Sequence, residues 1–110
     1  MNSFKVEGSI KLSGDITPQG AKNEALQVLC AVLLTKEEVI IENVPEIIDV
    51  LRLIDLLKYI GVEVNKLAKN KYSFKSHSID LNKLNSDSYN DKAKGLRGSI
   101  MIIGPLLSRF

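Results

Sequence analysis

Tryptophan is absent from these 110 residues, and phenylalanine and tyrosine number three each. Proteins that hold single-stranded nucleic acid stack successive bases on aromatic rings, and so small a set leaves no such platform. Basic residues outnumber acidic ones by only 15 to 13, a net charge of +2. That is too small a field to hold a nucleic acid or an anionic membrane. A single cysteine, Cys30, excludes an internal disulfide framework. It stands in an apolar helical run, where a buried, inert thiol is expected. The one histidine, His77, lies between Ser76 and Ser78 with no cysteine or second histidine near it. A metal centre is therefore not expected, and a solvent-facing loop histidine is. Long apolar runs are also missing. The longest, residues 100–107, is interrupted by Gly104-Pro105 and falls well short of the ~20 residues a membrane helix requires. The N-terminus alternates apolar and polar residues rather than carrying an apolar core, so it is not a signal peptide. These absences together lead to the expectation of a cytoplasmic protein.

What is present is an ordinary globular composition, 45% apolar and 25% charged, at a length that suits one domain. Residues 3–7 and 10–12 alternate as half-buried strands do, with Gly8 and Ser13-Gly14-Asp15 as breaks. A helix is predicted over residues 21–34, apolar on nearly all sides and therefore buried on nearly all sides. Val39-Ile40-Ile41, β-branched throughout, predicts a strand. A second helix follows Pro45, with Glu46 and Asp49 in its first turns, Lys58 in its last and Gly61 beyond its end. Val62-Glu63-Val64 and Tyr72-Ser73-Phe74 alternate about a turn at Ala68-Lys69-Asn70, which predicts a hairpin. Ile79-Asp80-Leu81 suggests a short further strand, and residues 82–90 a loop or a ragged helical start. The last helix carries Leu96, Ile100, Ile103 and Leu107, with a kink expected at Pro105. Helices alternating with strands argue for an α/β or mixed α+β fold.

Two helix starts carry cations where the helix dipole favours anions. Lys22 falls in the first turn of the first helix, where four backbone N–H groups also lack helical partners. Lys92, Lys94 and Arg97 gather at the start of the last. An anion site is one explanation, because a helix N-terminus with an added cation binds phosphate or carboxylate, and arginine offers a planar two-pronged donor. The alternatives are a Lys22 that points to solvent, Lys92 and Lys94 in an exposed loop, and an Arg97 paired with Asp91. No Ser/His/Asp arrangement, Gly-rich phosphate loop or metal-ligand spacing accompanies these cations.

The stretch Gly20-Ala21-Lys22-Asn23-Glu24-Ala25-Leu26 resembles the enolpyruvyl transferases. The likeness continues through Glu42-Asn43-Val44-Pro45 and Asp49-Val50. It returns at Leu96-Arg97-Gly98-Ser99-Ile100 and at Gly104-Pro105-Leu106-Leu107-Ser108-Arg109-Phe110. Only the combination is specific. The resemblance implies an inside-out α/β barrel of βαβαββ repeat units, incomplete here, in an enzyme of two globular domains with the active site between them. Residues 1–21 would begin one domain and residues 22–110 the other. Asn23 and Glu24 favour the branch acting on UDP-N-acetylglucosamine, since the 3-phosphoshikimate branch normally has Ser after the lysine and then an Asn-Arg pair. The implied reaction moves the enolpyruvyl group of phosphoenolpyruvate to the sugar 3-hydroxyl and releases phosphate, the first committed step of peptidoglycan synthesis.

Carried over by motif, Lys22 binds phosphoenolpyruvate with Asn23 beside it, and Arg97 contacts the UDP-sugar. No cofactor or metal is implied. The family's general acid, a cysteine or aspartate on a mobile loop, follows the Gly-Pro-Leu segment, so these 110 residues are expected to hold no catalytic group. Cys30 is not that residue, because it lies mid-helix. The chain ends straight after an apolar helix, which suggests a fragment, inactive alone. A rival of another class is a non-catalytic α/β binding module of this natural length.

Overall fold

The computed structural model describes residues 2–110, apart from the side chains at positions 97 and 98. Residues 22–110 form a mixed α/β unit in the order α1 (Lys22–Ala31), β1 (Glu38–Ile41), α2 (Ile48–Tyr59), β2 (Glu63–Ala68), β3 (Lys71–Lys75), α3 (Asp87–Ala93) and α4 (Ile103–Arg109). Short 3-10 helices occupy Val32–Leu34, Leu81–Asn85 and Arg97–Ile102. The three strands form one sheet in the order β1-β3-β2, with β3 antiparallel to both neighbours. The outer strands β1 and β2 therefore run the same way, and α2 crosses between them.

One face of the sheet meets the helices. Val39 pairs with Phe74, Ile41 with Tyr72, and Val64 with Phe74. These side chains join Leu29, Leu33, Val50, Leu53, Leu57 and Ile60 in the core. On the other face Lys75 stands opposite both Glu38 and Glu63, an opposite-charge placement that favours this register. The central Ser73 is buried there and donates to Glu38 Oε1 at 2.5 Å.

The second helix is as expected, with Val50, Leu53, Ile54, Leu56 and Leu57 buried. It starts later than the proline suggests, with Ile47 at its N-cap and Ile48 as its first residue. Its end is set by Gly61 at φ +114°. Val62 N–H donates to Leu57 O at 3.0 Å and Gly61 N–H to Lys58 O at 3.1 Å, the paired bonds of a Schellman cap. A side chain at position 61 would also strike the Ser78 carbonyl. The hairpin is confirmed, with Asn70 in the left-handed region at its turn (φ 60°).

Four expectations are corrected. Residues 2–19 form no strand and are exposed, although Phe4, Val6, Ile10, Leu12 and Ile16 alternate as a strand would. Alternation makes a strand only when a partner edge supplies hydrogen bonds, and no described strand lies beside this segment. The radius of gyration of 17.1 Å, against about 13 Å for a compact chain of this length, reflects that extension. The first helix ends at Ala31 and is buried on one side only: Leu26, Leu29 and Cys30 are covered, whereas Val28 is 40% exposed. Residues 79–81 form no strand; Asp80 instead caps the 3-10 helix, accepting from Asn82 N–H. The last helix is not one continuous element: a 3-10 helix, Arg97–Ile102, runs directly into α4, and Pro105 falls in the first turn of α4.

Candidate functional site

The chain enters α1 through a close backbone crossing. A methyl group built on Gly20 would lie 1.9 Å from the Asn43 carbonyl oxygen and 2.9 Å from Pro45 Cδ. Only a residue without a side chain lets residues 19–21 lie against the loop after β1. That loop is held from its other side. Asn43 adopts a left-handed conformation (φ 57°). Val44 N–H donates to Asn70 O at 2.9 Å, and the Asn70 side-chain amide returns a bond to Val44 O at 2.7 Å. Glu46 Oε1 then accepts from Asn70 N–H at 3.0 Å and from the Tyr72 hydroxyl at 3.1 Å, and faces Lys66 Nζ at 2.9 Å. The Lys66 ammonium and these hydrogen bonds hold the Glu46 carboxyl down to about 2. The hairpin turn, the loop 43–46 and the start of α1 are thus one connected unit.

Lys22 is the first residue of α1. Its ammonium does not simply point away to solvent. It lies 2.5 Å from Asp49 Oδ2, with the two side chains 48% and 35% exposed. Asp49 stands in the first turn of α2, so the ion pair bridges two helix N-termini. The Lys22 ammonium beside it holds the Asp49 carboxyl below the usual carboxylate range. The carboxylate offsets a cation at the positive end of α1, and its own helix end favours it. Asn23, the next residue, is exposed.

The cations expected at the last helix are distributed differently. Lys92 lies in the last turn of α3 and Lys94 caps its C-terminus, where positive charge suits the dipole. This differs from the expected helix start because residues 87–93, capped by Ser86, form a helix of their own. Ser86 Oγ accepts from Tyr89 N–H at 3.1 Å. Lys92 rests 5.7 Å from the centre of the Tyr59 ring. Arg97 begins the 3-10 helix that packs on α1, and its side chain lies outside the described residues. His77 is exposed. Cys30 is buried, and burial pushes its thiol up to about 11, so it carries no nucleophilic thiolate at neutral pH. No cluster of metal-ligating side chains occurs among the described residues, and none of the described helices is long and apolar enough to cross a membrane.

A cleft of about 320 Å³ opens between α1 and the loop after β1, lined among others by Gly20, Ala21, Glu24, Glu42, Asn43 and Pro45. Its charged lining is carboxylate, and Lys22 and Asn23 are not part of it. Two carboxylates make this cleft a poor place for a polyanion. Three participants escaped sequence reasoning: Gly20 as a crossing point, Glu46 as a hub and Asp49 as the partner of Lys22. The sequence shows the two acids as helix-dipole charges, and Asp49 also as part of the family motif, but shows neither one's partners. Their partners lie 20 to 27 positions away in the chain.

The family model described as EPSP synthase (3-phosphoshikimate 1-carboxyvinyltransferase) matches residues 6–110. Curated relatives from several bacteria carry the name UDP-N-acetylglucosamine 1-carboxyvinyltransferase. Those of Bacteroides fragilis and Bacteroides thetaiotaomicron are each 53% identical over all 110 residues. That of Porphyromonas gingivalis is 44% identical over the same length. In each case the whole of this chain is covered but only 25% of the relative. The chain thus spans about a quarter of the length of the curated relatives it matches.

Proposed function

The chain belongs to the EPSP synthase family of carboxyvinyl transferases, and from that membership we propose that it forms part of a UDP-N-acetylglucosamine 1-carboxyvinyltransferase. The protein transfers the enolpyruvyl group of phosphoenolpyruvate to the 3-hydroxyl of UDP-N-acetylglucosamine, by addition to a tetrahedral intermediate and elimination of phosphate. It is a cytoplasmic enzyme of peptidoglycan synthesis. Lys22 binds phosphoenolpyruvate with Asn23 beside it, and Arg97 contacts the UDP-sugar. A fixed cation at the start of α1 stabilises the phosphate charge that develops as the bond to carbon breaks. Residues 1–21 belong to one globular domain and residues 22–110 to the other, in an inside-out barrel of βαβαββ units. The exposure of Phe4, Val6, Leu12 and Ile16, each at least 88%, supports that division, because the alternating face has no cover within residues 22–110. The general acid belongs to sequence beyond these residues.

The observation that carries the proposal is the Lys22-Asn23 pair opening an α-helix with a half-exposed ammonium, in a chain 53% identical to relatives of that name. The test is Lys22→Ala in the protein expressed over its whole reading frame, assayed for phosphate release from both substrates. Turnover falls by about a hundredfold or more, while the melting temperature stays near that of the wild type, because exposed ion pairs contribute little to stability. Wild-type turnover removes Lys22 from the site. The second reading, transfer to 3-phosphoshikimate, is favoured by the description of the matching family model. Asn23 and Glu24 speak against it. Phosphate release with shikimate 3-phosphate, and none with the UDP-sugar, reassigns the protein.

A further inference from the structure

Resting on the assignment of Lys22 to phosphoenolpyruvate, we propose that Asp49 is a positioning residue for that cation, holding the Lys22 ammonium over the start of α1 with two N–H bonds left for the substrate. A lysine ammonium has three donors on a flexible four-carbon stem. Alone, it samples many positions around a helix end that repels it. Asp49 supplies a fixed anchor. It sits in the first turn of a helix whose Val50, Leu53, Ile54 and Leu57 are buried in the core, so its backbone position is set by packing. The contact of 2.5 Å uses one ammonium donor. The 48% exposure of Lys22 leaves the others open to a ligand. Glu24, two positions further along α1, lines the neighbouring cleft, whereas the carboxylate that meets the Lys22 ammonium is that of Asp49. The Lys22 ammonium itself, with a smaller contribution from Arg52 one turn further along α2, favours the charged form of Asp49.

The charge of Asp49 also sets the sign of the expected effect. Removing the carboxylate makes the site more positive, which preserves or strengthens attraction of the anionic substrate. What is lost is the placement of the ammonium when the transition state forms. The consequence therefore falls on kcat rather than KM.

The experiment is a double-variant cycle in the protein expressed over its whole reading frame, with Lys22→Ala, Asp49→Asn, Asp49→Glu and the Lys22→Ala/Asp49→Asn pair. Melting temperature and UDP-sugar affinity are measured for each. The expected result is a kcat for Asp49→Asn lowered about tenfold or more with KM for phosphoenolpyruvate changed less than about threefold. Asp49→Glu recovers part of the rate, and the double variant is no slower than Lys22→Ala alone. Wild-type kcat in Asp49→Asn beside a slow Lys22→Ala overturns the positioning role and leaves the lysine assignment standing. So does a loss confined to KM, or losses that multiply in the double variant, because Asp49 then acts other than through Lys22. Should Asp49→Asn fail to fold, Asp49→Glu decides, since a retained carboxylate that restores no activity also overturns the proposal. Wild-type turnover of Lys22→Ala overturns the underlying assignment instead.

Discussion

Replacing Gly20 with alanine tests whether the crossing of residues 19–21 over the loop after β1 sets the start of α1. The added methyl group would stand 1.9 Å from the Asn43 carbonyl oxygen. Close carbon–oxygen contacts in proteins begin near 3.3 Å, so one segment must retreat by about 1.4 Å. Side-chain rotation cannot provide that relief, because the obstacle is a backbone atom. Asn43 already occupies a left-handed conformation, and its neighbour Val44 is tied by two hydrogen bonds to Asn70. The retreat therefore falls on residues 19–21, immediately before Lys22. Overpacking of this kind costs about 1–3 kcal/mol. A displacement of about 1 Å near reacting groups can lower turnover about a hundredfold. Thermal melting and steady-state phosphate release of Gly20→Ala in the protein expressed over its whole reading frame measure both. We expect a lowered melting temperature together with a loss of turnover of at least tenfold. Wild-type melting and turnover would refute the crossing as a constraint.

Glu46 predicts a pH signature. Its carboxyl is held at about 2 against an ordinary 4.5, so the charged form is favoured in the folded state. The stabilisation is complete above about pH 4.5 and is lost as pH falls toward 2. Melting temperatures of wild type and Glu46→Gln should differ at neutral pH and converge over that acid range; a gap independent of pH contradicts the hub. Phe74, fully buried at the centre of the sheet, should lose about 3–5 kcal/mol on replacement by alanine, read in a denaturant titration; a change below about 1 kcal/mol contradicts its place in the core. Arg97→Ala should weaken UDP-N-acetylglucosamine binding in calorimetry, and unchanged affinity contradicts its proposed contact.

The legible parts of the fold are those whose information is local. The apolar stripe of residues 47–60 with Gly61 behind it specifies α2 and its cap, because helix periodicity and a positive-φ terminus are properties of neighbouring residues. The hairpin is equally local, with alternation on either side of an asparagine that tolerates the left-handed turn. Residues 4–16 carry the same kind of pattern and do not form a strand, since a strand needs a partner edge that the pattern does not contain. Ile79 and Leu81 failed for a related reason: Asp80 N–H donates to Ile60 O, and the chain turns into a 3-10 helix instead of meeting the sheet. Lys92 and Lys94 belong to a different helix from the one their spacing suggests, because Ser86, in a stretch that reads as a loop or a ragged helical start, caps a helix of its own.

Motifs spread along the whole chain carry the family, and with it the lysine that opens the first helix, without reference to the fold. Spacing and turn residues likewise specify α2 and the hairpin, because such signals act over a few positions. Tertiary structure decided what the lysine meets. Asp49 reaches Lys22 from 27 positions away, and Glu46 gathers Lys66, Asn70 and Tyr72 onto one oxygen. Gly20 is required by a carbonyl 23 positions further along the chain. Such contacts depend on how packed elements converge, and convergence is set by the burial of Leu53, Leu57 and Phe74 rather than by any residue's neighbours in the chain.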